Sequence, residues 1–524
     1  IIMSKEIIVG LDAGTSLIKF VAFDKYGKYI DSASVENKVY YREGGKAEQN
    51  LEETWNKVIE AFKLLNNKID RLSEKLEAIC ITGQGDGSWP IDKEGAPVGD
   101  AALWLDGRSG DIIDNWRNSE IGPKITEITH TGLNPSMQSG QMFHIFKNEP
   151  ERFNKIDKVI RCKDWIFYKL TGELVTDISE SFMTWGSPIE RKYKNEVFEI
   201  FNFKQMKEKL PEPVDSTDYV GKLSSQSAKI ISLNEGLPIV LAPVDVVCSG
   251  IGSGFVDKKK KIGCTILGTA GIHIFTDFEN KKPNFKKQLG YTCSLAGSSA
   301  NAKMVSNMVA SLNTDWLIEI FNSFFKDING SDLEKKNILE LFEKNASLAD
   351  PAKIFYHPFI SPNGERGPFV NVKARAQFLG LNTTTKVYDL VRALYESLAY
   401  ACKDCYSEFG AELELLRLTG GASNSSLVRK IVGSVNQLDT QVIENSEQGA
   451  AGACMVGMIA LNEAKSYEDL NDKWVNQYLK NVEKFDEKLS IIYEKAFSVY
   501  KKGYENMSEF WNSNYNFQNK INEN

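Results

Sequence analysis

Two stretches of this chain repeat one pattern, and that repeat limits the fold more than any other feature. "GLDAGTSLIKFV" and "CTILGTAGIHIF" align without a gap when the first is moved forward 254 positions, which sets Gly14-Thr15 on Gly268-Thr269. Each copy reads as strand, Gly-Thr turn, strand. A repeat on this scale predicts two similarly built domains facing each other, each offering a Gly-Thr turn to the cleft between them. The copies differ at one informative place: Asp12 in the first corresponds to Ile266 in the second.

Paired Gly-Thr turns suit a polyphosphate. Backbone N–H groups in a tight turn, with the hydroxyls of Thr15, Ser16 and Thr269, donate to phosphate oxygens. Gly14 and Gly268 let the backbone come close. Asp12 is then a candidate for holding Mg²⁺, which keeps much of its hydration shell. Lys19 is a candidate for added positive charge. "GQGDG" and "SGIGSG" lack the G-x-G-x-x-G spacing between strand and helix, so NAD binding is not expected, and no Walker A motif is present.

Strand-like and helix-like runs alternate elsewhere, which predicts α/β architecture. Asn50 reads as an N-cap with Glu53 at N3, opening the helix "LEETWNKVIEAFKLLN" with Leu51, Trp55, Val58, Ile59 and Phe62 on one face. "LEAICITG" reads as a buried strand. "LLRLTGGASNSSLVRKIVGSVNQL" reads as strand, Gly-Gly turn and helix; "TQVIENSEQGAAGACMVGMIALN" reads as strand, loop and small-residue helix. The end, "SEFWNSNYNFQNKINEN", is Asn-rich and expected to be frayed or loosely docked. His357, in "FYHPF", is expected to pack on the Pro that follows it.

The chain has 524 residues and a net charge of −7. A surface that neutralises nucleic-acid phosphates leans basic, so nucleic acid is not an expected partner. No apolar run has bilayer-spanning length. The N-terminal residues lack the layout of a secretory signal, and Ile1 and Ile2 before Met3 suggest a misplaced start. Eight scattered cysteines, with Cys402 and Cys405 on one amphipathic helix as ordinary thiols, fit a reduced, cytoplasmic protein.

Five blocks in order carry a resemblance. They are "GLDAGTSLIK", "TGQGDG" with "LWLDGRS", "APVDVVCSGIGSG", "ILGTAG", and "LTGGASNSSLVRK" followed by "EQGAAGA"; "YHPFISPNGERGPFVNVKARAQFLGL" supports them. The chain resembles the FGGY family of carbohydrate kinases, which implies two actin-like (ribonuclease H-like) ATPase domains with a nucleotide- and substrate-binding cleft. The implied layout is an N-terminal domain over 4–250, a C-terminal domain over 251–485 and a helical, polar tail over 486–524. The implied cofactors are ATP and Mg²⁺. By resemblance, Asp12 lies near Mg²⁺ and Thr15, Ser16, Gly268 and Thr269 face phosphate. Gly420, Gly421 and Ser425, with Asn424 beside them, contact the adenine nucleoside.

Asp245 matches the family's catalytic base. It follows the apolar run "LPIVLAPV", and an acid beyond a strand end is where α/β sites are built. It would take the proton of a sugar hydroxyl aimed at the γ-phosphate, and it is a second candidate near the metal. Gln84, Gly85, Asp86 and Trp104 are the candidate substrate residues, while Asp106 and Arg108 could also pair as a brace. Gly85-Asp86 stands where glycerol kinases show Arg-Glu and xylulokinases show Met-His. The "GQGDG" form looks more like the erythritol kinase and L-xylulose kinase branch, implying a small polyol or ketose. D-xylulose or glycerol kinase is the first alternative, and a nucleotide-dependent sugar sensor the non-enzymatic one. A homodimer is the oligomer the resemblance implies.

Overall fold

The computed structural model describes residues 6–282 and 285–522, with the side chains of 519–522 left aside. The start-site reading at Ile1 to Met3, the first residues of the expected N-terminal domain and the last two of the expected tail lie outside the described residues. Two compact units are present. One comprises 1–258, 276–303 and 445–478; the other comprises 259–275, 304–444 and 479–524. The linear reading cut the chain near 250 and 485, but the units interleave, because the small-residue segment after residue 445 returns to the first unit.

The first unit is built on a six-stranded sheet. Its strands are β1 (Ile7–Ala13), β2 (Leu17–Asp24), β3 (Tyr29–Glu36), β4 (Leu76–Gly83), β5 (Gly221–Lys222) and β6 (Pro238–Leu241), in the order β5-β6-β4-β1-β2-β3. β1 and β2 form the antiparallel hairpin expected from the sequence, and β1, β4 and β6 run parallel. β4 is buried nearly throughout, as its unbroken apolar run requires. Helix Leu51–Lys68 begins at Asn50, whose side chain accepts from Glu53 N. Trp55, Val58 and Phe62 on that helix enter the core with β1 and β2, and Ile59 sits at its margin.

The helix Gln448–Ala460 is small-residue-rich for a steric reason. A Cβ on Gly10 would fall 2.5 Å from Ala450 O, and one on Gly452 would fall 1.8 Å from Cys248 O. Only glycine admits such backbone approach, so this helix seats directly on β1 and on the helix Asp245–Gly252.

In the second unit, β7 (Ile262–Leu267) pairs antiparallel with β8 (Gly271–Asp277) and parallel with β9 (Leu415–Thr419). β9 in turn pairs parallel with β10 (Asp439–Val442). The two hairpins share a plan: each first strand has its hairpin partner on one side and a parallel strand on the other. The gapless alignment fails at one point. Ala13 pairs with Ile18, leaving residues 14–17 in the first turn, whereas Leu267 pairs with Gly271, leaving 268–270 in the second. The second turn is one residue tighter, so the return strands are offset by one and their side chains swap faces.

The expected tail is helical, and Trp511 docks its polar end. Helices Glu487–Glu505 and Ser508–Asn522 belong to the second unit. Tyr493, Tyr500 and Tyr504 are buried, and Trp511, 2% exposed, stacks on Phe369 with ring centroids 6.0 Å apart. The aromatic rings anchor a segment whose composition reads as polar. His357 is buried; its ring stacks on Phe359 and its Nε2 donates to Tyr500 O at 2.9 Å. All eight cysteines are free and buried. Among the described residues no helix is long and apolar enough to cross a membrane.

Candidate active site

The parallel strands of the first unit end together. β1 ends in Asp12 and the Gly14-Thr15 turn, β4 in Gln84 to Gly87, and β6 leads to Asp245. Gln84 N donates to Ala13 O, and Ala242 N to Ile81 O, so the three ends are tied in register.

A closed set of hydrogen bonds occupies the first turn. Trp104 Nε1 donates to Thr15 Oγ1 at 2.9 Å, and Thr15 Oγ1 donates to Gln84 Oε1 at 3.0 Å. Gln84 Nε2 donates to Gln49 Oε1 at 2.8 Å, and Gln49 Nε2 returns to Thr15 O at 2.8 Å. Thr15, expected to face phosphate, is therefore joined to Gln84 and Trp104, expected to face the acceptor. Gln84 is buried and braces the turn; Ser16 is exposed.

Asp12 lies opposite Lys19 in the β1–β2 register. The Lys19 ammonium is held by both oxygens of Glu447 at 3.1 Å, which offsets the positive charge expected of it. Burial pushes the Asp12 carboxyl up to about 6, against the lowering effect of Lys19, and Glu447 adds to the rise. A Cβ on Gly449 would fall 2.9 Å from Asp12 Oδ2, so this glycine leaves the carboxyl its room. Asp245 opens the helix Asp245–Gly252 and accepts from Val246 N at 2.7 Å. Its carboxyl is held well above the usual range by burial first and by Asp12 second. The Asp12 charge thus adds to the proton affinity of Asp245, and a cation between the two would relieve that repulsion. Among the described residues no group of three or more His, Cys, Asp or Glu is placed to hold a metal ion. The donor set fits Mg²⁺, which takes one or two carboxylates and completes its shell with water and phosphate.

The 84–87 turn is seated tightly. A Cβ on Gly85 would fall 2.5 Å from Val244 Cγ2. Asp86 has φ +54°, its N–H donates to Glu180 Oε1 at 2.7 Å, and its Oδ2 accepts from Tyr291 OH at 2.9 Å. Asn134 Nδ2 donates to the same tyrosine oxygen at 2.7 Å. Asp106 and Arg108 form the brace: Arg108 Nε donates to Asp106 Oδ1 at 2.7 Å, and Arg108 Nη2 reaches Glu48 at 2.5 Å, all buried.

In the second unit, Gly268 O and Thr269 O accept from Ser311 N and Ala310 N at 2.9 and 2.8 Å, fixing the tighter turn. Gly420 has φ +89°, and a Cβ there would fall 2.6 Å from Leu267 O and 2.8 Å from Gly268 N. The expected nucleoside segment thus lies directly against the expected phosphate turn. Gly421 and Asn424 bound a short 3₁₀ turn, and Ser425 caps the following helix by accepting from Val428 N. Glu343 accepts from the hydroxyls of Ser425 and Ser426 and from Leu427 N, the last at 2.9 Å. Glu180, Tyr291 and Glu343 escaped the sequence reading because each lies far along the chain from the motif it supports. Glu447 stood inside a quoted block, and its charge next to "QGAAGA" was the available signal.

Two family models match, the N-terminal domain of the FGGY family of carbohydrate kinases over residues 7–252 and its C-terminal domain over 263–461. The chain belongs to this family, phosphotransferases with an alcohol group as acceptor. Within it, the chain is similar to an erythritol kinase from Brucella abortus, at 33% identity over 511 residues, 97% of each chain. It is also similar to a xylulose kinase from Staphylococcus epidermidis, at 25% identity over 95% of this chain and 96% of the relative. The fold matches a ligand-bound xylulose kinase from Lactobacillus acidophilus with a TM-score of 0.87 at 20% identity, over 97% of this chain and 99% of that one.

Proposed function

We propose that this protein transfers the γ-phosphate of ATP to a hydroxyl of a small polyol, with erythritol the favoured acceptor and a ketopentose such as xylulose the second. The observation that carries the reading is Asp245. Its carboxyl stands beyond a parallel strand end with a raised proton affinity, which suits a group that must take a proton from an alcohol. Asp12 and Asp245 would hold Mg²⁺, which when bound supplies charge neutralisation for the phosphates. Asp245 accepts the acceptor's proton, the oxygen attacks phosphorus in line, and ADP leaves; no covalent enzyme intermediate is needed. Gly14, Thr15, Ser16, Gly268 and Thr269 would take phosphate, Gly420, Gly421, Asn424 and Ser425 the nucleoside, and Asp86 the acceptor. The preference for a tetritol rests on the 33% identity to an erythritol kinase against 25% to a xylulose kinase.

The test is a coupled ADP-release assay with ATP and Mg²⁺ over tetritols, pentitols, ketopentoses and glycerol. Erythritol is expected to give the highest kcat/KM. Stimulation by none of them would favour a nucleotide-dependent sensor instead.

A further inference from the structure

Five ionisable side chains lie buried behind the acceptor turn: Arg161, Lys163, Asp164, Asp177 and Glu180. Lys163 Nζ meets Asp164 Oδ1 at 3.2 Å, Asp177 by a short bond, and Glu180 Oε2 at 3.4 Å; Arg161 Nε lies 3.4 Å from Glu180 Oε1. Apolar residues of similar volume would commonly serve stability as well or better, so the cluster calls for another role.

Its contacts toward the site supply one. Glu180 and its neighbour Ser179 stand in the first turn of the helix Ile178–Trp185, which Asp177 caps by accepting from Ser179 N at 2.7 Å. Glu180 Oε1 accepts from the N–H of Asp86, a residue in the left-handed region, where a non-glycine is uncommon. Ser179 Oγ accepts from Val244 N at 3.2 Å, one residue before Asp245. A Cβ on Gly85 would fall 3.1 Å from Glu180 Oε1 and 2.5 Å from Val244, so the turn is seated between them. Two adjacent residues thus tie down the turn bearing Asp86 and the strand end bearing Asp245.

We infer that Glu180 is a positioning residue that, with Ser179, fixes the acceptor turn at a set distance from Asp245, and that the buried cations hold its carboxylate in place. This rests on reading 84–87 as the acceptor turn. What the turn takes from Glu180 is an acceptor oxygen held at one place. In Glu180→Gln, Arg161 and Lys163 would face Asp164 and Asp177 in equal number, where the wild type has three carboxyl groups against two cations, and an acceptor oxygen remains. Glu180→Ala removes the acceptor.

The experiment has two arms. In the kinetic arm, with erythritol and ATP·Mg²⁺, Glu180→Ala is expected to raise the erythritol KM by about tenfold, the cost of leaving one buried N–H without its acceptor, with the ATP KM unchanged. Glu180→Gln is expected to restore most of the loss. Gly85→Ala, which leaves the charges intact, is expected to reproduce the erythritol defect if Glu180→Ala does not fold. In the exchange arm, hydrogen–deuterium exchange of a peptide spanning 84–88 is expected to quicken in Glu180→Ala or Gly85→Ala and to stay slow in Glu180→Gln. A wild-type erythritol KM in the folded Ala variants, or unchanged exchange across 84–88, overturns the inference. Wild-type protein inert toward erythritol would overturn the functional reading instead, and the exchange arm would still decide the positioning claim.

Discussion

The indole N–H of Trp104 donates to the hydroxyl of Thr15 at 2.9 Å, and that hydroxyl donates in turn to Gln84 Oε1 at 3.0 Å. Under the proposed function, a side chain facing the acceptor orients a hydroxyl in the phosphate turn. Trp104→Phe keeps the flat ring and removes the donor. It is expected to lower kcat/KM for ATP and for erythritol together, by about tenfold, because Thr15 loses a partner. Steady-state kinetics with each substrate varied in turn checks this. A defect confined to the acceptor would mean that the indole serves only as a packing face.

Asp245 gives the sharpest prediction about chemistry. Asp245→Asn is nearly isosteric and can still accept from Val246 N, but it cannot take a proton. Its kcat is expected to fall by about a thousandfold, within the range for loss of a general base, while calorimetric titration with ATP still shows binding. Turnover close to wild type would remove Asp245 from the role of base.

Glu343 tests the nucleoside assignment without touching the first unit. Its carboxylate gathers the hydroxyls of Ser425 and Ser426 and the N–H of Leu427. Those hydrogen bonds, which no sequence motif announces, hold the cap of the helix that follows Gly420-Gly421. Glu343→Ala is expected to raise the ATP KM about tenfold through loss of a charged acceptor and to leave the erythritol KM near wild type. The reverse split would place Ser425 away from the nucleotide.

Local pattern carried the hairpins, the Asn50 cap, the buried strand at 76–83 and the helix at 426–436, because each depends on neighbours within a few residues. The Asp106–Arg108 brace was half legible: the pair is visible in sequence, but Glu48, which completes it, is not. The docking of the polar tail through Trp511 was illegible because Trp511 meets Phe369 only after folding. The partner of Lys19 was illegible in a similar way, since Glu447 lies far along the chain and meets it only in space. The one-residue difference between the two hairpin turns was illegible because a gapless match looks the same whether the turn closes over four residues or three.

Asp12 predicts a stability cost with a definite pH dependence. Burial pushes its carboxyl from the ordinary 3.8 up to about 6 in the folded protein, because it disfavours the charge. Below 3.8 both states hold the proton and Asp12 costs nothing. As pH rises toward 6 the unfolded chain ionises first, so the folded state loses stability. Above 6 the loss is complete, at up to about 3 kcal/mol and less where water reaches the carboxyl. Asp12→Asn is therefore expected to melt above the wild type at pH 8, with the advantage shrinking toward zero as pH falls to about 4. Because a bound cation offsets the same cost, MgCl₂ at pH 8 is expected to raise the melting temperature of the wild type and to leave that of Asp12→Asn nearly unmoved. Thermal melts of both proteins across this pH range, with and without MgCl₂, check the two expectations together. Equal melting temperatures at pH 8 would show that the Asp12 carboxylate carries no burial cost, and with it would fall the main reason to place the cation there.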